Sequence, residues 1–196
     1  MDWTLDGAES APHDTLKAAI GQLDIWWYGS VTHRMAGLSD DEYFWKPVPN
    51  AHCLQRRDGS LFCDWPPGSD DATVTPPVTT IAWRLAHIAQ GCFLDRWHTY
   101  FTPSKIDWQN EPFPDTAAGA LAYLEEWWQK WRAAVVSVGE DGLWHKLGDT
   151  QDDMWIMQMG KQDPFIGIVM HLNREVMHHG AEICLLRDLY RAHTVT

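Results

Sequence analysis

Apolar residues recur at helical spacing in four long stretches of the chain, which predict four helices. In the first stretch, about residues 12–32, the apolar positions follow one another at intervals of four, three and four residues: Leu16, Ile20, Leu23 and Trp27. This spacing places the four side chains on one face of a helix. The other three stretches span about residues 80–101, 115–138 and 163–192.

Capping residues indicate where the later helices begin. Thr79 or Thr80 precedes the second stretch, and a threonine there can cap the free N–H groups of a first helical turn. Asp115 is expected to cap the third helix. The fourth helix is expected to begin at Asp163 and Pro164, a cap followed by the proline that a first helical position tolerates. The second helix is apolar nearly all round, so we expect it to be central.

Two irregular connections separate the predicted helices. The longer one, about residues 33–78, contains Asp58-Gly59, a dipeptide typical of a hairpin turn. Trp45 and Trp65 are expected to anchor this connection to the core. The shorter one, about residues 139–162, joins the third and fourth helices. The simplest architecture is an all-α four-helix bundle with a long crossover loop between helices one and two, in a single domain over residues 1–196.

Composition narrows the classes of function. Among the 196 residues, 27 are Asp or Glu and 15 are Lys or Arg, a formal net charge of −12. Such a surface repels nucleic-acid phosphates and anionic lipid, so we expect neither nucleic acid nor a membrane as a partner. The chain is 45% hydrophobic, which excludes a disordered acidic tail, and it holds 13 tryptophans. So many indoles suggest an amphipathic interior or a lined pocket.

Targeting signals and cysteine usage bear on the cellular compartment. No apolar stretch reaches the length of a membrane span, and residues 1–11 lack the basic and apolar pattern of a signal peptide. The four cysteines form no CxxC pair. We therefore expect a cytoplasmic protein with reduced thiols. A disulfide between Cys53 and Cys63, which flank the predicted turn, is the alternative.

The fourth predicted helix carries a cluster of imidazoles and carboxylates. At about 100° per residue these polar residues share one sector of the helix: His171, Glu175, His178, His179 and Glu182. Branched aliphatic residues occupy the same sector, so we expect it to face inward. Buried imidazoles and carboxylates require partners or a metal ion.

Glu175 and His179 are the first candidates for metal ligands. Their spacing of four residues brings both side chains to one ion from one helix face. A catalytic metal site uses three protein ligands and keeps a position open, so we expect a third ligand from another helix. His87, on an apolar face of the second helix near Trp83, is the candidate. Each histidine taken alone is also compatible with a hydrogen-bonded core residue.

Three short segments resemble the DinB-like (DinB/YfiT) superfamily. Segment 79–88 (TTIAWRLAHI) resembles its second-helix motif, and segment 171–188 (HLNREVMHHGAEICLLRD) resembles its last-helix motif. Segment 38–47 (LSDDEYFWKP) is similar to the region that follows the first helix. The order and spacing of the three segments agree with the family over nearly the whole chain.

The resemblance implies a four-helix bundle that holds one divalent metal ion, zinc or nickel. Family members use one histidine of the second helix and two residues four apart on the last helix. By position these are His87, Glu175 and His179. The Glu-x-x-x-His form of the last pair is similar to the N-terminal metal-binding domain of the mycothiol-dependent maleylpyruvate isomerases.

Three neighbouring side chains have open roles. His171 lies one turn before Glu175 and His178 adjoins His179, so either histidine could replace a named ligand. Together with Glu182 they are also candidates for residues that orient a ligand or move a proton. The sequence assigns no catalytic residue.

The resemblance also implies a class of activity. It points to a homodimeric thiol S-transferase or isomerase that joins a low-molecular-weight thiol, such as mycothiol or bacillithiol, to a small-molecule electrophile. A metal ion supports this chemistry because it lowers the pKa of a coordinated thiol. Two alternatives remain: a hydrolase that activates water at the metal, and a non-catalytic metal-containing stress or ligand-binding protein.

Overall fold

Four long helical segments dominate the described part of the protein, which is residues 14–69, 71, 73–148 and 160–194 of a computed structural model. In chain order the helices are α1 (Thr15–Trp26, continued by π-helical Trp27–Val31 and by Thr32–Met35), the short α2 (Asp40–Phe44), α3 (Ile81–Ala86, continued by π-helical His87–Leu94 and by Asp95–Phe101), α4 (Ala117–Gly142) and α5 (Ile166–Thr194). Strands β1 (Gln55–Arg57) and β2 (Ser60–Phe62) form an antiparallel hairpin, and a 3-10 turn (Trp108–Asn110) precedes α4. The all-α prediction is confirmed, with a small sheet added in the crossover.

Side-chain caps begin the first two long helices. The Asp14 carboxylate accepts a hydrogen bond from the Lys17 amide at 3.2 Å at the start of α1. Thr80 Oγ1 accepts one from the Trp83 amide at 3.3 Å at the start of α3. Thr80 is one of the two predicted caps of this helix. His87, the candidate ligand of α3, lies two turns after it.

Two predicted caps are wrong. Thr116, and not Asp115, caps α4, because the threonine hydroxyl accepts the backbone N–H three residues further on at 3.1 Å. Asp163 does not cap α5. Its carboxylate accepts the Gly160 amide at 2.6 Å and its carbonyl accepts the Leu147 amide at 2.9 Å. This pairing holds the segment in a non-helical conformation, so α5 starts only beyond it.

Helices α1 and α5 run side by side in the same direction. The Asn173 amide donates to the Ala19 carbonyl at 2.7 Å, and one face of Gly180 meets Trp26 further along both helices. A Cβ at Gly180 would lie 1.9 Å from the Trp26 ring. The missing side chain therefore allows the close approach of the two helices beside the candidate ligands of α5.

Aromatic side chains fill the centre where α1, α3 and α4 meet. Trp128 is fully buried, with its ring centroid 5.2 Å from that of Trp27 and 5.6 Å from that of Phe93. The Trp27 indole N–H donates to Glu125 at 2.9 Å, which satisfies a polar group that burial would otherwise isolate. Most of α3 is buried, as its apolar pattern predicts.

The crossover between α1 and α3 is hydrogen-bonded to the body of the protein. Asp58 and Gly59 turn the chain between β1 and β2 with φ of 48° and 87°, which confirms the predicted hairpin turn. The His52 amide donates to the Val78 carbonyl at 2.8 Å, and the Thr80 amide donates to the His52 carbonyl at 2.9 Å. The crossover is thus attached directly to the start of α3.

The four cysteines are unpaired. Cys53 and Cys63 form no disulfide, and burial raises the pKa of the Cys63 thiol well above its usual value. Within the described ranges, no helix combines the length and the apolar character that a membrane span needs. The predicted start of the first helix, at residues 12–13, and much of the connection 139–162 lie outside the described residues.

Candidate metal centre

His87 lies where α3 changes from α-helical to π-helical hydrogen bonding. Such π-helical segments are frequent at functional sites. The residue is 6% exposed, and its imidazole stacks on the Trp83 indole with ring centroids 5.0 Å apart and planes 7° apart. His87 Nδ1 is buried and has no hydrogen-bond partner among the described residues. A buried nitrogen of this kind costs free energy unless a ligand satisfies it.

The fold brings the three predicted ligands together. Glu175 and His179 lie one turn apart on α5, with His179 Nε2 3.3 Å from Glu175 Oε2. The rings of His87 and His179 are perpendicular, with centroids 4.8 Å apart. One ligand atom from each of the three residues lies within 4.8 Å of the others. The cluster could therefore hold one metal ion, and two imidazole nitrogens with one carboxylate oxygen are donors that suit a divalent transition metal.

The surroundings hold two of these side chains in the protonation states that bind a metal. Burial, helped by the neighbouring His179, lowers the pKa of His87 to about 3, so its imidazole is neutral at pH 7. The hydrogen bond with His179 lowers the pKa of Glu175 to about 2. Burial lowers the pKa of His179, but hydrogen bonds to Glu175 and Glu182 outweigh it and leave that pKa raised. A metal ion would compete with a proton for His179 alone.

Glu182 and Arg84 contact His179 at Nδ1, the ring nitrogen other than the one that faces Glu175. Glu182 Oε2 lies 2.7 Å from His179 Nδ1, and Arg84 Nη1 lies 2.6 Å from the same carboxylate oxygen. When His179 carries its proton on Nδ1, that N–H donates to Glu182 and leaves Nε2 free to bind a metal. Arg84 Nη1 also lies 2.8 Å from His179 Nδ1. The role proposed for Glu182 from the sequence, orienting a ligand, agrees with this geometry.

Sequence reasoning missed Arg84. The signal was a cation three residues before His87, in the segment 81–89, whose other residues apart from His87 are apolar. Burial lowers the pKa of Arg84, and the Glu182 carboxylate opposes that shift. A cation is retained in this half-buried position because it pairs with a carboxylate.

His171 and His178 lie outside the three-residue cluster. His171 Nδ1 is 3.8 Å from Glu175 Oε1 and 2.6 Å from Arg174, and burial lowers the pKa of His171 to about 4. The His178 side chain is 64% exposed, with Nε2 3.5 Å from Glu182. The inward position predicted for His178 is therefore wrong, because α5 turns this side chain to the rim of the site.

Further tryptophans border His87. Trp65, in the crossover beyond β2, has its ring centroid 5.3 Å from that of His87, and Trp108 lies at 6.4 Å. Trp65 therefore borders the candidate site, whereas Trp45 anchors the crossover as predicted, with its ring 5.6 Å from that of Tyr190. No periodicity connects Trp65 or Trp108 to His87, so the sequence pattern could not place them there.

The fold and the cluster define a helical protein with a three-residue site that could hold one metal ion. The family model of the DinB superfamily matches residues 26–183, and the chain belongs to that superfamily. The matched region contains His87, Glu175 and His179. No curated protein and no solved structure matches the chain.

Proposed function

We propose that this protein is a metal-dependent enzyme that transfers a low-molecular-weight thiol, of the mycothiol or bacillithiol type, to a small electrophile or uses it to isomerise one. The observation that carries the proposal is the cluster of His87, Glu175 and His179, whose ligand atoms lie within 4.8 Å of one another. Three protein ligands are typical of catalytic metal sites, which leave a position for a substrate or water.

The charge of the site supports a thiol as the second reactant. Two neutral imidazoles and one carboxylate would leave a net charge of about +1 on a divalent ion. The Arg84 cation next to His179 is paired with the Glu182 carboxylate, so these two residues add no net charge. A bound zinc or nickel ion would lower the pKa of a thiol beside it. An anionic sulfur is favoured in such surroundings, although the protein as a whole carries a net charge of −12.

The surrounding residues orient the ligands and connect them to solvent. Glu182 holds the His179 imidazole through Nδ1, and Trp83 holds the plane of His87 by stacking. His178 is the exposed group at the rim, 3.5 Å from Glu182, and in this proposal it exchanges protons with solvent.

Metal analysis followed by a paired assay tests the proposal. Purified protein is expected to contain about one zinc or nickel ion per chain, and Glu175→Ala is expected to lose it. Glu126→Ala, which changes an exposed glutamate of α4, is the matched control and should keep the metal. Conjugated electrophiles are then screened with and without a low-molecular-weight thiol.

Each outcome of this screen points to one class of protein. Turnover that requires added thiol supports the transferase or isomerase. Turnover without thiol overturns it in favour of a hydrolase. Metal without any turnover favours a non-catalytic ligand-binding protein, and protein that neither contains nor binds a metal beyond the Glu175→Ala level contradicts all three.

We also propose that the enzyme is a cytoplasmic homodimer. Leu185 and Leu189 of α5 are 59% and 46% exposed, which supports an apolar contact between copies. Light scattering coupled to size exclusion is expected to give twice the chain mass, and Leu185→Glu is expected to give a monomer. A wild-type monomer would contradict the proposal.

A further inference from the structure

Trp65 occupies an unusual position for an indole. Its side chain is 48% exposed, yet its ring lies 5.3 Å from His87 at an interplanar angle of 61°. Leaving half of a tryptophan in water forgoes much of the free energy that its burial would supply. The ring thus borders a candidate metal ligand and also keeps surface that another molecule could cover.

The segment that carries Trp65 is held in place by its neighbour Asp64. The Trp83 indole N–H donates to the Asp64 carbonyl at 2.6 Å. The Asp64 carboxylate lies 2.9 Å from His52 Nε2. Trp83 is itself stacked on His87, so the position of Trp65 is coupled to that of the candidate ligand.

Trp108 completes a corner with Trp65. The two indoles are 5.8 Å apart and nearly perpendicular, at 86°. The Trp108 ring packs against α3 at Gly91, where an added Cβ would lie 3.4 Å from it. The Asp107 side chain accepts the Gln109 amide at 3.3 Å and so closes the turn that presents Trp108. Two perpendicular rings offer one face and one edge to a flat group.

We infer that Trp65 and Trp108 form the part of the substrate site that takes a planar conjugated or aromatic group, directly beside the metal ligands. This inference rests on the proposed function and specifies its substrate class. Ligand sites combine apolar and aromatic walls with a few polar groups that fix orientation, and these two rings supply a wall next to His87, one of the three donors. Trp65 is then a specificity-determining residue rather than only a support for His87.

Binding of matched thiols to the cobalt-loaded protein tests the inference. The probes are phenylmethanethiol and cyclohexylmethanethiol, which have similar size and differ in whether the ring is flat. Thiolate-to-cobalt absorption reports each dissociation constant. The wild type is expected to prefer the aromatic thiol, and Trp65→Ala is expected to reduce that preference by roughly three- to tenfold. Trp65→Phe should retain part of it.

The controls separate specificity from support of the ligand. Trp144→Ala removes another exposed indole, 56% accessible, and should leave the preference unchanged. Cobalt affinity, measured by chelator competition, is recorded for each variant. If Trp65→Ala weakens cobalt binding but keeps the wild-type ratio of thiol affinities, Trp65 only supports His87 and the inference is overturned.

Failure of the proposed function gives a different result. If cobalt binds but neither thiol does, the thiol activity is contradicted, and the same comparison is made with benzoate and cyclohexanecarboxylate through the cobalt d–d absorption. A Trp65-dependent preference for benzoate then supports the aromatic wall, and equal affinities overturn it. Protein that binds no cobalt overturns the proposed function and the inference together.

Discussion

Arg187 and Glu42 form a buried ion pair across 145 residues of sequence. Arg187 Nε donates to Glu42 Oε1 at 2.6 Å and Nη2 donates to Oε2 at 3.1 Å, while Nη1 donates to the carbonyls of Arg34 and Ala36. The two side chains are 2% and 5% exposed. Segments 38–47 and 171–188, which carry the family resemblance, therefore meet in space, and the pair joins the crossover to α5.

Removing one partner of this pair is expected to destabilise the protein strongly. Arg187→Met leaves the Glu42 carboxylate buried without its cation, which costs about 3–5 kcal/mol of unfolding free energy. Denaturant titration measures the loss. Arg191→Met, at an exposed position on the same helix, is the control and should cost little.

The double variant Arg187→Met with Glu42→Leu separates the ion pair from simple packing. Because it removes both charges and keeps apolar volume, it should recover much of the lost stability. A loss in Arg187→Met no larger than in Arg191→Met would show that the buried pair contributes nothing.

Gly91 is expected to be needed for metal affinity rather than for stability. A Cβ at this position would lie 3.2 Å from His87 Nδ1 and 3.4 Å from Trp108, so alanine displaces the imidazole by a few tenths of an ångström. Gly91→Ala should weaken metal binding by roughly tenfold, comparable to the loss of a residue that orients a ligand. Competition with a chromogenic chelator measures the affinity.

Gly21→Ala is the matched control for this change. Gly21 also lies in a helix, and a Cβ there meets nothing within 4 Å. Helix propensity predicts that this substitution stabilises the protein by up to about 1 kcal/mol with no effect on metal affinity. Equal metal affinities for the two alanine variants would contradict the proposed role of Gly91.

The pair of Glu182 and Arg84 is expected to act on the metal through His179. Glu182→Gln removes the carboxylate that accepts the Nδ1 proton, and Arg84→Met releases that carboxylate. Each is expected to weaken metal binding by about 10- to 100-fold, and Arg84→Lys should restore part of the loss. If the double variant loses as much as the sum of the single losses in free energy, the two residues act independently and the coupled arrangement is contradicted.

Stability before metal addition is expected to fall as the pH drops below about 6.5. The pKa of His87 is lowered to about 3 by burial, so between these values the unfolded chain binds a proton that the folded protein excludes. Each such proton contributes a slope of about 1.4 kcal/mol per pH unit. His171, whose pKa burial lowers to about 4, contributes in the same direction, so His87→Leu should reduce the slope without abolishing it. An unchanged slope in His87→Leu would contradict this assignment.

The lowered pKa of Glu175 affects the stability of the protein over a lower range of pH. Its carboxylate is ionised in the folded protein down to about pH 2, so its contribution to stability is present above the usual value near 4.5 and is lost between the two. Unfolding measured on both sides of this window separates it from the histidine contribution.

Local patterns at the site were predictable and contacts between distant segments were not. The inward pair Glu175 and His179 follows from a spacing of four on one helix, which any helix of this sequence would reproduce. Thr80 as a cap and Asp58-Gly59 as a turn are equally local. Asp163 looked like a cap by the same rules, but its backbone pairs with that of Leu147, a choice that depends on tertiary contacts.

The sequence by itself determined the four long helices, most of the faces that they bury and the side chains able to bind a metal, because these depend on spacing within one segment. Only the tertiary structure decided what surrounds those side chains. Arg84 reaches His179 across 95 residues, and Trp65 reaches His87 from an irregular crossover. Such contacts depend on how the helices pack and on where the crossover is hydrogen-bonded to them. Neither can be predicted from the periodicity of a local segment.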